Sequence, residues 1–175
     1  MSGDTITGHQ EELPEGWLPI EQYIQTIPHA TIYACFYFTD TAGNPFGLRS
    51  TVRPDLWQWP GGDMEHGDAS PFATAVRELR EETGLAFDGP SILLISTFHG
   101  PEPTWPGYAK VGFCFDGGVL TADQLERIRL DPQEHSEWRI APIQEWRTLA
   151  MPRLAARIDL ADRARRTGCA EHVAD

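Results

Sequence analysis

The most constraining feature of the chain is one bracketed helix that carries three carboxylates within five residues. Ser70 is a good N-cap, Pro71 a good first helical residue and Gly84 a good residue just past the end, so the spacing predicts a helix over Pro71–Thr83. On that helix Glu78 and Glu82 are four residues apart and Glu78 and Glu81 three apart, which groups all three acids on one side. Phe72, Ala75, Val76 and Leu79 supply apolar positions on the other side. Clustered like charge costs a helix roughly 0.2–0.5 kcal/mol per close pair. A cation held by the carboxylates offsets that cost, and hard oxygen ligands suit Mg²⁺ or Mn²⁺. The ordinary outcome of a charge run is a solvated face. The flanking string, Gly61-Gly62, Glu65-His66-Gly67-Asp68 and then Arg77 to Leu85, is far more structured than a charge run.

Other segments fill in around this helix. Ile20 to Thr26 reads as a short helix ending before Pro28. Thr31 to Phe38, dense in β-branched and aromatic residues, reads as a buried strand. Gly43-Asn44 is a turn signal, and Phe46 to Val52 is expected as the return strand of a hairpin. Pro60-Gly61-Gly62 is expected as a tight loop. Ser91–Thr97, Tyr108–Phe115 and a short Trp138–Ile140 are the remaining expected strands, with a loop and short helix in Leu120 to Leu130. Ile143 to Thr167 has helical pattern broken near Pro152. The expected organisation is a flexible leader over 1–19 and one domain over 20–175 with a helical C-terminal tail, of α/β (α+β) class.

With 175 residues, 41% of them hydrophobic, the chain can bury a core as one domain. The formal net charge of −12 disfavours stable nucleic-acid binding, and a polyanionic substrate would need local positive charge, such as a divalent metal. No apolar run reaches the roughly 18 residues of a membrane span. The polar, acidic start lacks the features of a secretory signal, so no membrane association and a cytoplasmic location are expected. Cys35, Cys114 and Cys169 form neither a disulfide framework nor metal-site spacing.

The segment Gly62 to Leu85 resembles the Nudix box, G-x5-E-x7-R-E-U-x-E-E-x-G-U with U aliphatic. Gly62 matches the first glycine, and Arg77, Glu78, Leu79, Glu81, Glu82, Gly84 and Leu85 match the whole second half. Trp57 to Gly62 also looks like the family's approach to the box. Two departures fall in the loop before the helix: Asp68 stands where the pattern has glutamate, and the spacer Ala69 to Val76 is one residue longer. The resemblance implies an α/β/α sandwich with a mixed sheet and a catalytic loop-helix. It implies metal-dependent hydrolysis of a diphosphate linkage in a nucleoside-diphosphate-X-type small molecule, with water attacking phosphorus. It also allows a homodimer.

Carried over residue by residue, Glu78 and Glu82 are the main metal ligands. Glu81 is a further ligand or water activator, Gly62 lends its backbone carbonyl, and Arg77 braces the glutamates. A further carboxylate from beyond the box is expected at Glu134, with Glu137 as its rival, while His135 is read as a surface histidine. Arg49 and Arg53 are candidates for substrate phosphate. Trp105 and Tyr108, in or beside a proline-rich loop, are candidates for stacking on a base. Trp57 and Trp59 are read first as packing residues. Two other readings stay open: a non-catalytic nucleotide-binding or regulatory domain of the same fold, and isopentenyl-diphosphate-isomerase-like chemistry. The second wants a cysteine near the metal, which the box lacks.

Overall fold

A computed structural model describes residues 14, 16–101, 103 and 107–174. Its order is α1 (Ile20–Tyr23), β1 (His29–Thr39), β2 (Phe46–Ser50), β3 (Trp57–Gln58), β4 (Gly61–Asp63), α2 (Pro71–Thr83), β5 (Leu93–His99), β6 (Tyr108–Val119), α3 (Ala122–Glu126), β7 (His135–Ile140), α4 (Ile143–Leu149), α5 (Pro152–Thr167) and β8 (Glu171–Ala174). Five strands form a mixed sheet in the order β4-β1-β6-β5-β8, with β1–β6 and β5–β8 parallel and the other pairs antiparallel. A smaller antiparallel sheet runs β3-β2-β7. Among the described residues no helix is long and apolar enough to cross a membrane.

The period of two in β1 divides the core into two layers. Ala34, Phe36 and Phe38 face Ala75 and Leu79 of α2, with Leu85 and Phe115 completing that layer. Cys35 and Tyr37 point the other way, toward Ile158, Ala161 and Ala164 of α5. The result is a helix–sheet–helix sandwich, the architecture expected from the sequence. Burying Leu79 almost completely contributes roughly 1.5–3 kcal/mol. On the opposite layer Arg165 clamps α5 to the sheet: its guanidinium lies 4.7 Å from the Tyr37 ring centre and donates to the Thr39 hydroxyl and the Tyr37 carbonyl, both at 3.0 Å.

The helix limits of α2 agree with the sequence, and for the reasons given there. The Ser70 hydroxyl accepts from Ala73 N–H at 3.1 Å, and Gly84 adopts φ 72°, which a side-chain-bearing residue rarely takes. Three expectations are corrected. Phe46–Ser50 does not form a hairpin with β1: after a single bridge, Thr39 to Pro45, the two strands diverge into different sheets. The cause lies downstream. β2 pairs instead with β7, while Trp146 fills the space beside Gly47 and donates from its indole to Pro45 O at 2.9 Å. Pro60-Gly61-Gly62 is no simple loop, since Gly61–Asp63 is an edge strand paired with Tyr33–Cys35. Beyond α5 the chain adds a strand, β8, alongside β5.

Candidate active site

The edge strand β4 and helix α2 meet at two glycines that leave room for carboxylates. Gly61 sits at φ 153°, and a Cβ there would collide with the Ala34 carbonyl and with Cys35. A Cβ on Gly62 would occupy the space of the Glu78 carboxylate. β4 therefore lies flat on β1, and Glu78 folds against its backbone.

Exposure falls steeply across the three acids. The Glu81 side chain is 58% exposed, Glu78 13% and Glu82 2%. Glu82 is buried because it follows Leu79 along the inward face of α2. Both its oxygens are held: Oε2 accepts from Gly61 N–H at 2.8 Å, and Oε1 lies 2.7 Å from His135 Nε2. His135 is fully buried, which corrects its reading as a surface histidine. A β-bulge explains its position. Ser50 pairs with His135 while Arg49 pairs with Glu137, so Ser136 is the extra residue that turns His135 inward. The same corner presents Glu134. The ligand atoms of Glu82, Glu134 and His135 all lie within 4.8 Å of one another. Glu137, the rival, is taken up by Arg49 at 3.3 Å and Arg139 at 3.0 Å.

Arg77 organises the entry to the helix. Its Nε and Nη2 donate to the two Asp68 oxygens at 3.1 and 3.0 Å, a bidentate pair. Nη1 donates to Glu78 at 2.9 Å and to Glu81 at 2.8 Å, and Nη2 also reaches Asp63 O at 3.2 Å. Asp68 further accepts from Glu65 N–H and the Thr74 hydroxyl, both at 3.0 Å. The shorter acid and the longer spacer thus still produce a braced loop. Hydrogen bonds from Arg77 and the Glu65 backbone hold Asp68 well below the usual carboxylate range.

The electrostatics favour a cation. Burial pushes the Glu78 carboxyl up to about 7; Arg77 opposes the rise, and the charges of Glu82 and Glu81 add to it. Burial also raises Glu82, against the hydrogen bond from His135. For His135, burial alone would lower the pKa, but the Glu82 hydrogen bond and charge outweigh it and the net direction is up. Among the described residues the three box carboxylates pair with Arg77 and His135, and Glu134 joins the same cluster, so carboxylates outnumber cations at the site. Its oxygen-rich donors with one nitrogen fit a divalent cation such as Mg²⁺ or Mn²⁺. Glu82, Glu134 and His135, whose ligand atoms come together, would hold it, with Glu78 one turn before Glu82 on the same helix.

The other sequence candidates lie apart from the carboxylates. Arg49 is committed to Pro54 O at 2.7 Å and to Glu137, with its guanidinium 5.9 Å from the Trp57 ring centre. Tyr108 is half exposed at the start of β6, with its ring 5.8 Å from His29. Trp105 lies outside the described residues. Trp57 and Trp59 are core residues, as expected, yet their edges and Arg53 line a cavity of about 500 Å³ on the α5 side of the sheet. Sequence reasoning missed that cavity's other wall, Met151 to Arg157, which is distant in the chain from every motif.

A family model described as NUDIX domain matches residues 34–160. No curated protein matches the chain. Among solved structures, the MutT protein of Methanosarcina mazei Go1 is similar at 22% identity and TM-score 0.60, over 81% of this chain and 96% of that one. An Ap4A hydrolase of C. elegans is similar at 17% identity and TM-score 0.57, over 79% and 99%. An ADP-ribose pyrophosphatase of Streptococcus suis is similar at 17% identity and TM-score 0.55, over 83% and 98%. At these identities the likeness concerns the fold.

Proposed function

The chain belongs to the Nudix family, and from that premise we propose that it is a divalent-metal-dependent hydrolase of a diphosphate linkage in a nucleoside-diphosphate-X-type substrate. One observation carries the reading: Glu134 and His135, from a turn and the strand it opens more than fifty residues away, converge on the buried Glu82 of the box. A binding module has no use for drawing another carboxylate into an already repulsive cluster.

A divalent cation held among these carboxylates would supply charge neutralisation at phosphoryl oxygens and a more acidic bound water. The residues of the chain do the rest. Gly61 N–H and His135 fix both oxygens of Glu82, so its remaining lone pairs point in set directions. Arg77 keeps Glu78 and Glu81 apart from free rotation and ties the loop to the helix through Asp68. Glu134, exposed and without an ion-pair partner among the described residues, takes the proton of the attacking water as the new P–O bond forms and the bridging P–O bond breaks. Proteins of similar fold that are an Ap4A hydrolase and an ADP-ribose pyrophosphatase are in keeping with a nucleotide-containing substrate.

The test is a substrate panel on purified protein, following released phosphate-containing products with Mg²⁺, with EDTA and with Glu82→Gln. Turnover of a diphosphate compound that EDTA and E82Q abolish is the expected result. Ligand binding across the panel with no turnover overturns the hydrolase in favour of a binding domain.

A further inference from the structure

We infer that His135 binds the divalent ion directly through Nε2, and that this nitrogen makes the centre select a first-row transition ion such as Mn²⁺ over Mg²⁺. This rests on the metal centre of the hydrolase reading above and adds the identity of the ion to it. Nothing in the box itself calls for nitrogen. Its donors Glu78, Glu81 and Glu82 are all carboxylates, the hard oxygen set that suits Mg²⁺.

The backbone places the ring for ligation. The bulge at Ser136 turns His135 inward, where its side chain is 1% exposed against 2% for Glu82. His135 Nε2 lies 2.7 Å from Glu82 Oε1. Two neighbouring ligand atoms of one octahedral ion, each at about 2.1 Å from it, stand about 3 Å apart. The pair therefore opens only slightly to share an ion. Glu134 supplies a third corner, its carboxylate lying within 4.8 Å of the other two ligand atoms.

The other ring nitrogen points the same way. His135 Nδ1 is buried and has no hydrogen-bond partner among the described residues. Without an ion, a proton must sit between Nε2 and Oε1, since two lone pairs at 2.7 Å repel. Nδ1 is then orphaned in either charge state, as a lone pair without a donor or as an N–H without an acceptor. An ion on Nε2 takes the place of that proton, which leaves to solvent, and fixes the neutral ring with its hydrogen on Nδ1. The backbone group beside the ring is the Arg49 carbonyl, which already accepts from the Ser136 hydroxyl at 3.4 Å. As the ring stands, that carbonyl is not aligned with Nδ1, and a small turn of the imidazole brings them together. Histidines that bind metal almost always donate their second nitrogen to such a group. One ion thus accounts for both nitrogens of a ring that is otherwise half satisfied. Transition ions bind imidazole more strongly than Mg²⁺, which keeps to oxygen and water, so two carboxylates and one imidazole favour Mn²⁺.

Pulsed electron paramagnetic resonance of Mn²⁺ bound to the full chain is the test. The spin-echo modulation is expected to show the coupling of a directly bonded imidazole ¹⁴N in wild type. It changes to the ¹⁵N pattern when the protein is made with ¹⁵N-histidine, and it vanishes in H135Q and in H135E. In competition titrations, the affinity ratio of Mn²⁺ to Mg²⁺ is expected to fall at least about tenfold in H135E, which offers oxygen in place of nitrogen, while circular dichroism stays native. Wild-type Mn²⁺ without nitrogen coupling, no Mn²⁺ bound, or an unchanged ratio in H135E overturns the inference and leaves His135 as a positioning residue for Glu82. The isotope comparison uses wild type alone, so a variant that fails to fold does not remove the test. Nitrogen-coupled Mn²⁺ with no turnover across the substrate panel refutes the hydrolase reading and leaves the inference standing; turnover with Mn²⁺ and no nitrogen coupling does the reverse.

Discussion

The two faces of the five-stranded sheet are built from opposite charge. On the α2 face, Glu78, Glu81, Glu82 and Glu134 crowd around Arg77 and His135. On the α5 face, Arg53, Arg153 and Arg157 line a cavity whose described lining residues include no acid. β1 separates the two, sending Ala34 and Phe36 one way and Cys35 and Tyr37 the other.

That division can be broken most severely at Glu82. E82Q, or removal of metal with EDTA, is expected to lower kcat by on the order of 10²–10³-fold in a steady-state assay, since charge stabilisation at phosphorus is lost. The second effect concerns the glycines. G61A forces a side chain into Ala34 and Cys35 at a φ that disfavours one, and is expected to cost roughly 1–3 kcal/mol in denaturant unfolding. Third, H135Q keeps a donor but changes its reach. Metal affinity should fall about 10–100-fold, the usual loss when a partner that orients a ligand is altered, with H135A at the severe end.

A fourth expectation follows from Glu78 in the metal-free protein. Its folded pKa, about 7, lies above the ordinary value of 4.5. The sign follows directly: the protonated form is favoured by folding, so this contribution is fully present below 4.5 and is lost as pH rises through 7. Thermal stability in EDTA should decline over that window, and the decline should flatten in E78Q. Metal binding, which needs the carboxylate, should strengthen over the same window. The smallest effect is a contrast between neighbours. E137Q, whose parent pairs only with Arg49 and Arg139 on the surface, should change turnover less than about twofold and stability by no more than about 0.5 kcal/mol, whereas E134Q should lower turnover clearly.

The α2 face was largely legible in the sequence because it is local. Ser70, Pro71 and Gly84 set the helix limits, and the positions of Arg77, Glu78, Glu81 and Glu82 followed from helical spacing. Even the two departures at Asp68 and its spacer resolve into a local bidentate pair with Arg77. His135 was misread because its burial depends on a bulge against Ser50, eighty-five residues earlier, and no pattern around His135 announces it. The divergence of β2 from β1 was hidden for the same reason: a good turn at Gly43 does not reveal that β7 and Trp146 will claim the following strand. The arginine cavity is the least legible part. Arg53, Arg153 and Arg157 come from a loop and a helix a hundred residues apart, and only the packing of α5 on the sheet joins them.

The most direct test of the division between the two faces is a Mn²⁺ titration followed by electron paramagnetic resonance, without substrate, on wild type, E82Q and R157Q. The account requires bound Mn²⁺ in wild type and R157Q with closely similar affinity, and a loss of at least about tenfold in E82Q. Equal Mn²⁺ binding by wild type and E82Q, or equal losses in E82Q and R157Q, would contradict it.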